Sequence, residues 1–385
     1  MFARSQVCVP FLALALVAPA FADDSGNFVI TLGQDTTAVE QYTRTASRLD
    51  VRQVGRAPRV LERHFTYDYV QGEISVFRMV VGPPGGTTPT QTIDGTFGPD
   101  SARIKIQSGS SPVQNITVPF TPGMVVVASS SPWTSYEGLC MKLVKAKRDS
   151  LRTTMYLLGG TSTYWLSLHR LGRDSVSIFN EHLDQFHAQV DKDGRILGVL
   201  PIAGTAKFSA RRVASLDYAA MAAAFSAREQ AGTGLGVLSP RDSVVTTVAG
   251  ASLWIDYGRP GKRGRVIFGD VVPYGEVWRT GANAATQFRT DKALAFGGTI
   301  VPAGFYTLWT VPSPSGWKLR INGETGQWGT AHKDEKDLFT IDMKVSALPQ
   351  VVERFTIGIE STPQGGVLNL DWDTTRASVA FTVQP

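Results

Sequence analysis

Apolar and polar residues alternate strictly along several short runs of this chain, and a period of two admits few folds. Leu253, Ile255 and Tyr257 fall on one side of a run whose other side carries Ser252, Trp254 and Asp256. Phe355, Ile357 and Ile359 likewise oppose Arg354, Thr356 and Glu360, while Leu368, Leu370 and Trp372 oppose Asn369 and Asp371. Val379, Phe381 and Val383 repeat the pattern near the end. Successive side chains of a strand point to opposite faces, so these runs read as half-buried antiparallel strands. Their spacing predicts roughly eight strands over residues 239–385, the complement of a β-sandwich of jelly-roll or Greek-key type.

The preceding part is expected to be β as well. Arg59–Val70, Glu73–Val81 and Ala102–Ile106 alternate in places. Thr163–Leu171 with Ser175–Asn180, and His187–Val190 with Arg195–Val199, read as hairpins, the second across Asp191-Lys192-Asp193-Gly194. Tyr136, Leu139, Cys140, Leu143 and Val144 recur at helical spacing, with Ser135 the candidate N-cap. A second helical run, Tyr218, Met221, Ala222 and Phe225, follows Asp217 as a cap and ends in Gly232-Thr233-Gly234-Leu235-Gly236. No strand leads into those glycines, so they read as a linker and not as a phosphate loop. The expected organisation is all-β in two domains. Residues 23–215 form an antiparallel meander sheet with one packed helix, 216–238 a helix and linker, and 239–385 the sandwich.

Residues 1–22 read as an export leader. Arg4 precedes the apolar run Phe11–Ala18, and Ala20-Phe21-Ala22 supplies a small-x-small cleavage pattern. That run is too short to span a bilayer as a helix, so a periplasmic or secreted protein without a transmembrane segment is expected. Cys8 falls within the leader, which leaves Cys140 alone and expected to pack in the core. Basic and acidic residues number 38 and 33, a formal charge of +5. The densest basic group, Lys142, Lys145, Lys147 and Arg148, lies where it complements a helix C-terminus. No basic stripe interleaved with aromatics occurs, which disfavours nucleic acid as a partner.

One ordered set of motifs stands out downstream. It comprises Ser239-Pro240-Arg241, Ile255-Asp256-Tyr257-Gly258-Arg259-Pro260, Gly264-Arg265-Val266-Ile267-Phe268-Gly269 and Trp278-Arg279-Thr280-Gly281-Ala282-Asn283-Ala284-Ala285-Thr286. Pro302-Ala303-Gly304-Phe305-Tyr306-Thr307-Leu308-Trp309 and the late Leu370-Asp371-Trp372 complete it. In this order and spacing the segments resemble the bacterial family called domain of unknown function 2911. The resemblance runs from Ser239 to the C-terminus and implies a sandwich without implying a reaction.

Candidate binding residues follow from side-chain chemistry. Arg259, Arg265 and Arg279 offer guanidinium forks for a carboxylate or phosphate, and convergence of the three would make an anion site. Gly281 permits a bend, Asn283 tolerates a left-handed backbone, and Thr286 closes the same segment. Arg279 could instead pair with Asp256 or Glu276. Trp278, Trp317 and Trp328 sit beside turns, as half-buried rim residues or as stacking surfaces for a ligand, whereas Trp309 and Trp372 are expected in the core.

Catalytic templates fail. There is no G-x-S-x-G, no H-E-x-x-H and no Walker or Rossmann pattern, and Ser315-Gly316-Trp317-Lys318 matches S-x-x-K only within a turn. His182-Leu183-Asp184 supplies two of the three or four ligands a zinc site needs, and His332–Asp337 reads as a solvated loop. No catalytic residue, metal or cofactor is assigned. The expected function is non-catalytic binding of a small molecule, glycan or envelope protein. The alternatives are a hydrolase of glycans or esters using Asp256, Glu276 or Asp371, and a structural or interaction domain.

Overall fold

The computed structural model describes residues 24–128, 132–181 and 184–385. The leader and His182 lie outside them. The protein is mostly β, with two α-helices and two sheets.

The first sheet has fifteen strands. One meander runs outward in chain order from Asp24–Leu32 to Gln114–Pro119, and a second runs back from Ser150–Leu157 to Ser209–Val213. The two join along a seam where Asp24–Leu32 pairs antiparallel with Ser209–Val213, Phe28 opposite Arg212. Val125–Val127 pairs parallel with Ser150–Leu157 and forms the far edge. The sheet is not closed, since the end strands Gln114–Pro119 and Val125–Val127 do not pair with each other.

Helix α1 (Trp133–Lys145) lies against this sheet. Leu139, Cys140 and Leu143 join one cluster with Phe65 and Phe77 from the first meander and Leu166, Ile178 and Ile196 from the second. One core touched by both meanders means that the sheet curves around the helix. Burial pushes the Cys140 thiol up to about 12, so it is an inert packing group, as its place on the apolar stripe predicts.

The start of α1 differs from the sequence expectation. Pro132 is the N-cap residue and makes no side-chain capping bond, and Ser135 lies inside the helix with Oγ 3.0 Å from Tyr67 Oη. The cap comes from a strand. Glu40 accepts from Trp133 N at 3.1 Å, Thr134 N at 3.2 Å and Thr134 Oγ1 at 2.9 Å. A carboxyl group satisfying the orphan N–H groups of a first turn does what a local serine would do.

Helix α2 (Tyr218–Gln230) follows the expected pattern. Asp217 accepts from Ala220 N at 2.9 Å, and Tyr218, Ala222 and Phe225 pack on Val39, Val54 and Val60.

The second sheet holds nine strands with a separate core. Its long strand Asp337–Thr362 pairs first with Trp317–Asn322 and then, after Met343, with Gly365–Val383 through two register shifts. Of the expected inward residues, Leu253, Ile255, Tyr257, Phe355, Ile357, Leu368, Leu370, Trp372 and Phe381 are buried, while Ile359, Val379 and Val383 are half-buried at the margin of this core. Among the described residues no helix is long and apolar enough to cross a membrane.

Candidate functional site

The Trp278–Thr286 segment is built as a clasp. Trp278 is 8 % exposed. It stacks on Trp372 at 5.9 Å and meets Phe355 edge-on at 5.0 Å, with Trp317 and Phe268 around it. Its Nε1 donates to Gly281 O at 3.1 Å, and its backbone pairs with Thr310. Gly281 is required by close approach, because a Cβ there would lie 2.9 Å from Gly258 O. Asn283 takes the left-handed backbone its side chain tolerates (φ 63°), and its carbonyl accepts from Gly329 N at 2.9 Å. Thr286 Oγ1 donates to Thr280 O at 2.7 Å. Trp328, opposite Ala284 in an isolated bridge, is 48 % exposed. Trp317, expected at a rim, is 2 % exposed because the strand Asp337–Thr362 pairs along it and packs Met343 into the same cluster.

The three arginines separate into two groups. Arg259 donates to Asp242 at 2.8 Å, Phe355 O at 3.1 Å and Thr356 Oγ1 at 2.9 Å, which ties two strands together. Arg265 and Arg279 instead both lie close enough to Lys207 to act on its charge. Among the described residues Arg265 donates only to Lys262 O and Gly261 O of its own loop. Arg279 Nη1 donates to Gly329 O at 3.2 Å, while its buried Nε has no hydrogen-bond partner among the described residues. Burial brings Arg279 down to about 10, against the pull of Asp184. Asp256 pairs with Arg241 and not with Arg279.

A second locus, which no motif signalled, lies between α1 and the first sheet. A cleft of about 70 Å³ has apolar walls from Leu49, Ile74, Met124, Val125, Val126 and Leu139. Tyr67, Tyr69, Ser135, Arg44, Glu73 and Lys142 supply its polar atoms. Burial raises both tyrosines, Tyr69 to about 12, so both stay neutral hydroxyls. Lys142 Nζ donates to Gly72 O at 3.3 Å and is partly exposed, and Glu73 accepts from Gly123 N. This space holds a few water molecules, at roughly 10–15 Å³ each.

Beside the cleft runs a buried ionic network. The Glu137 carboxylate accepts from Arg44 Nη1 at 2.9 Å, Tyr42 Oη at 3.1 Å, Ile196 N at 2.8 Å and Arg212. Arg212 also donates to Tyr42 Oη and Ile196 O. Every oxygen is engaged, so the network fastens α1 to both meanders. Glu40 sits within reach of Glu137, and burial above all pushes it up to about 7.

His332, Asp334 and Asp337 bring one ligand atom each within 4.8 Å of one another. The loop is not simply solvated as the sequence suggested: His332 stands edge-on to Trp309 at 4.7 Å and bonds Asp337 at 2.9 Å. Arg320 donates to Asp334 at 2.6 Å and to Asp337 at 3.0 Å, so a cation already occupies the carboxylates. Asp371 is gripped by Arg376 at 2.8 and 2.7 Å, while Glu276 is exposed. Asp184 accepts from Thr205 N and Ala206 N at 2.7 and 3.1 Å.

Residues 239–381 match the family described as "Protein of unknown function (DUF2911)", and the part before them matches no family. No curated protein matches. Among solved structures, the chain is similar to a DUF1089 family protein from Pseudomonas aeruginosa at 10 % identity and TM-score 0.30, covering 43 % of this chain and 90 % of that one. It is also similar to a β-barrel-like protein of domain of unknown function DUF1849 from Brucella abortus, at 10 % identity and TM-score 0.33, covering 49 % and 94 %.

Proposed function

We propose that this is an exported envelope protein that binds a small amphipathic molecule without transforming it. The ligand's apolar body enters the cleft beneath α1, and its anionic end meets Lys142. In this reading residues 1–22 are removed, the two sheets are separate domains joined by α2 and its glycine linker, and the second folds over as a β-sandwich. The observation that carries the proposal is the cleft itself: apolar walls with a few convergent hydroxyls and a cation are the usual make-up of a ligand pocket. Its small volume means that α1 shifts outward to admit anything larger than a few atoms. The acidic groups named as possible catalysts are held by arginines or exposed, which favours binding over hydrolysis.

The test is calorimetric titration of the chain beginning at Asp23 with decanoate. Saturable binding is expected, weakened about tenfold in Lys142→Ala, a loss of roughly 1.4 kcal/mol, and abolished in Leu139→Trp, which fills the cleft. Absence of saturable binding, or binding indifferent to both substitutions, would remove the cleft from consideration.

A further inference from the structure

We infer that the outward face of the second sheet carries a site for a neutral oligosaccharide, floored by Trp254 and Phe305. Strand register brings its residues together. Leu253, Ile255 and Tyr257 turn into the core, so Ser252, Trp254 and Asp256 point away from it. Trp254 on Ala251–Gly258 stands opposite Val245 on Arg241–Val248 and opposite Arg289 on Thr286–Thr290. Arg289 in turn stands opposite Phe305 on Gly304–Val311. One row of directly opposed residues therefore crosses four neighbouring strands on a single face. Strands two apart lie about 10 Å from one another, yet the ring centroids of Trp254 and Phe305 are 5.9 Å apart, their planes tilted by 52°. The two rings thus lean together over the strand between them. Phe305 is 47 % exposed and Val245 75 %, while Trp254 is half-buried.

Single exposed apolar side chains are ordinary, but three that adjoin in one row form a surface. As sheet stabilisers alone, opposed aromatic pairs contribute only about 0.2–1 kcal/mol. Charge decides which occupant fits. Arg241 and Asp256, outward at the far end of the same face, cancel each other, with Arg241 Nε 3.2 and 3.0 Å from the two carboxylate oxygens. Arg289 is exposed, and its guanidinium is in no ion pair among the described residues. Asp291, two residues on, accepts from Ser252 N at 2.7 Å through Oδ1 and keeps Oδ2 open to solvent. Lys292 turns aside toward Gly250, at the hairpin between the first two of these strands. The outward positions therefore balance, and a polyanion or an anionic bilayer finds no basic field to meet. What the face offers is a donor fork and an acceptor beside an aromatic floor, with the exposed hydroxyls of Thr247 and Ser252 opposite each other at its edge. A pyranose presents the complementary surfaces: an apolar C–H face for the rings, and neighbouring hydroxyls that each donate and accept. A stable protein partner would cover about 800 Å² on this side, far more than one short row of apolar groups supplies.

The experiment is calorimetric titration of the chain from Asp23 with cellotetraose in one arm, its N-acetylated counterpart chitotetraose in a second and trigalacturonate in a third. Saturable binding of at least one neutral tetrasaccharide is expected, tighter than that of the acidic sugar. Its affinity should fall at least about tenfold in Trp254→Ala and in Phe305→Ser, and about threefold in Arg289→Gln, the loss of one or two hydrogen bonds. Lys142→Ala should leave it unchanged, which keeps this outcome separate from that of the cleft. Because Arg289 is exposed and unpaired, Arg289→Gln should melt with the parent chain, so weaker binding at equal stability is a result that a purely structural ring pair does not give. Binding of only one neutral sugar assigns the site to plain or to N-acetylated pyranoses. Absence of saturable binding of both neutral sugars, preference for trigalacturonate, or affinity that survives both ring substitutions overturns the inference.

Discussion

The two cores are built on opposite principles. Around α1 the first sheet buries acidic and basic groups: Glu137 between Arg44 and Arg212, and Glu40 beneath the helix N-terminus. The second sheet fills its interior with rings, Trp278, Trp317, Trp372, Phe268 and Phe355, in edge and stacked contact. The recognisable family motif therefore lies in the region whose special residues pack, while the region without a family match holds the cleft and the charged network. In the matched region the quoted motif forms a tryptophan-centred joint.

The comparison can be broken by substitution. Glu137→Ala should cost about 3–5 kcal/mol in chemical denaturation, because it leaves Arg44 and Arg212 buried without their counter-charge. Replacing Glu137 by Leu and Arg212 by Met together should recover part of that loss, with Arg44 left to Asp24 at 3.5 Å. A single substitution as costly as the pair would show that packing and not charge holds α1. A smaller effect is expected with pH. Burial raises Glu40 from 4.5 to about 7, so the folded state binds its proton more tightly than the unfolded chain. Its contribution is full below about 4.5 and is lost as pH rises through about 7, on the order of 3 kcal/mol. Denaturation midpoints across that window should decline in the parent chain and decline less in Glu40→Gln; equal slopes would contradict the assignment. Smallest of all, Trp328→Ala should change stability by less than about 0.5 kcal/mol, since the side chain is half exposed. A larger loss would extend the aromatic core outward to the 326–330 turn.

Local periodicity exposed much of the fold. The alternating runs near Leu253, Phe355 and Leu368 became strands with the expected faces inward, and Asp217 caps α2 as its position suggests. What periodicity leaves open is which faces meet. Glu40 caps a helix 93 residues away, and no local pattern encodes that. Trp317 looked like a rim residue because its neighbours are Pro, Ser and Gly, yet a strand that returns from residue 337 onward encloses it. The guanidinium spacing was not a guide to the partners. Arg265 bonds within its own loop, Arg279 reaches Gly329 O, and Arg259 holds Asp242 and Thr356.

The seam joining the two meanders has a consequence for how the chain reaches this state. Asp24–Leu32 finds its second neighbour only in Ser209–Val213, so the first strand made waits for the last of its sheet. Pairings so distant in sequence form slowly, because a large loop must close before any contact repays the lost entropy. Until then each meander presents a bare strand edge, and such edges template pairing with any compatible strand. In a concentrated solution of refolding chains, the nearest compatible strand belongs to another copy, so strand-exchanged dimers are the misfolded product to look for.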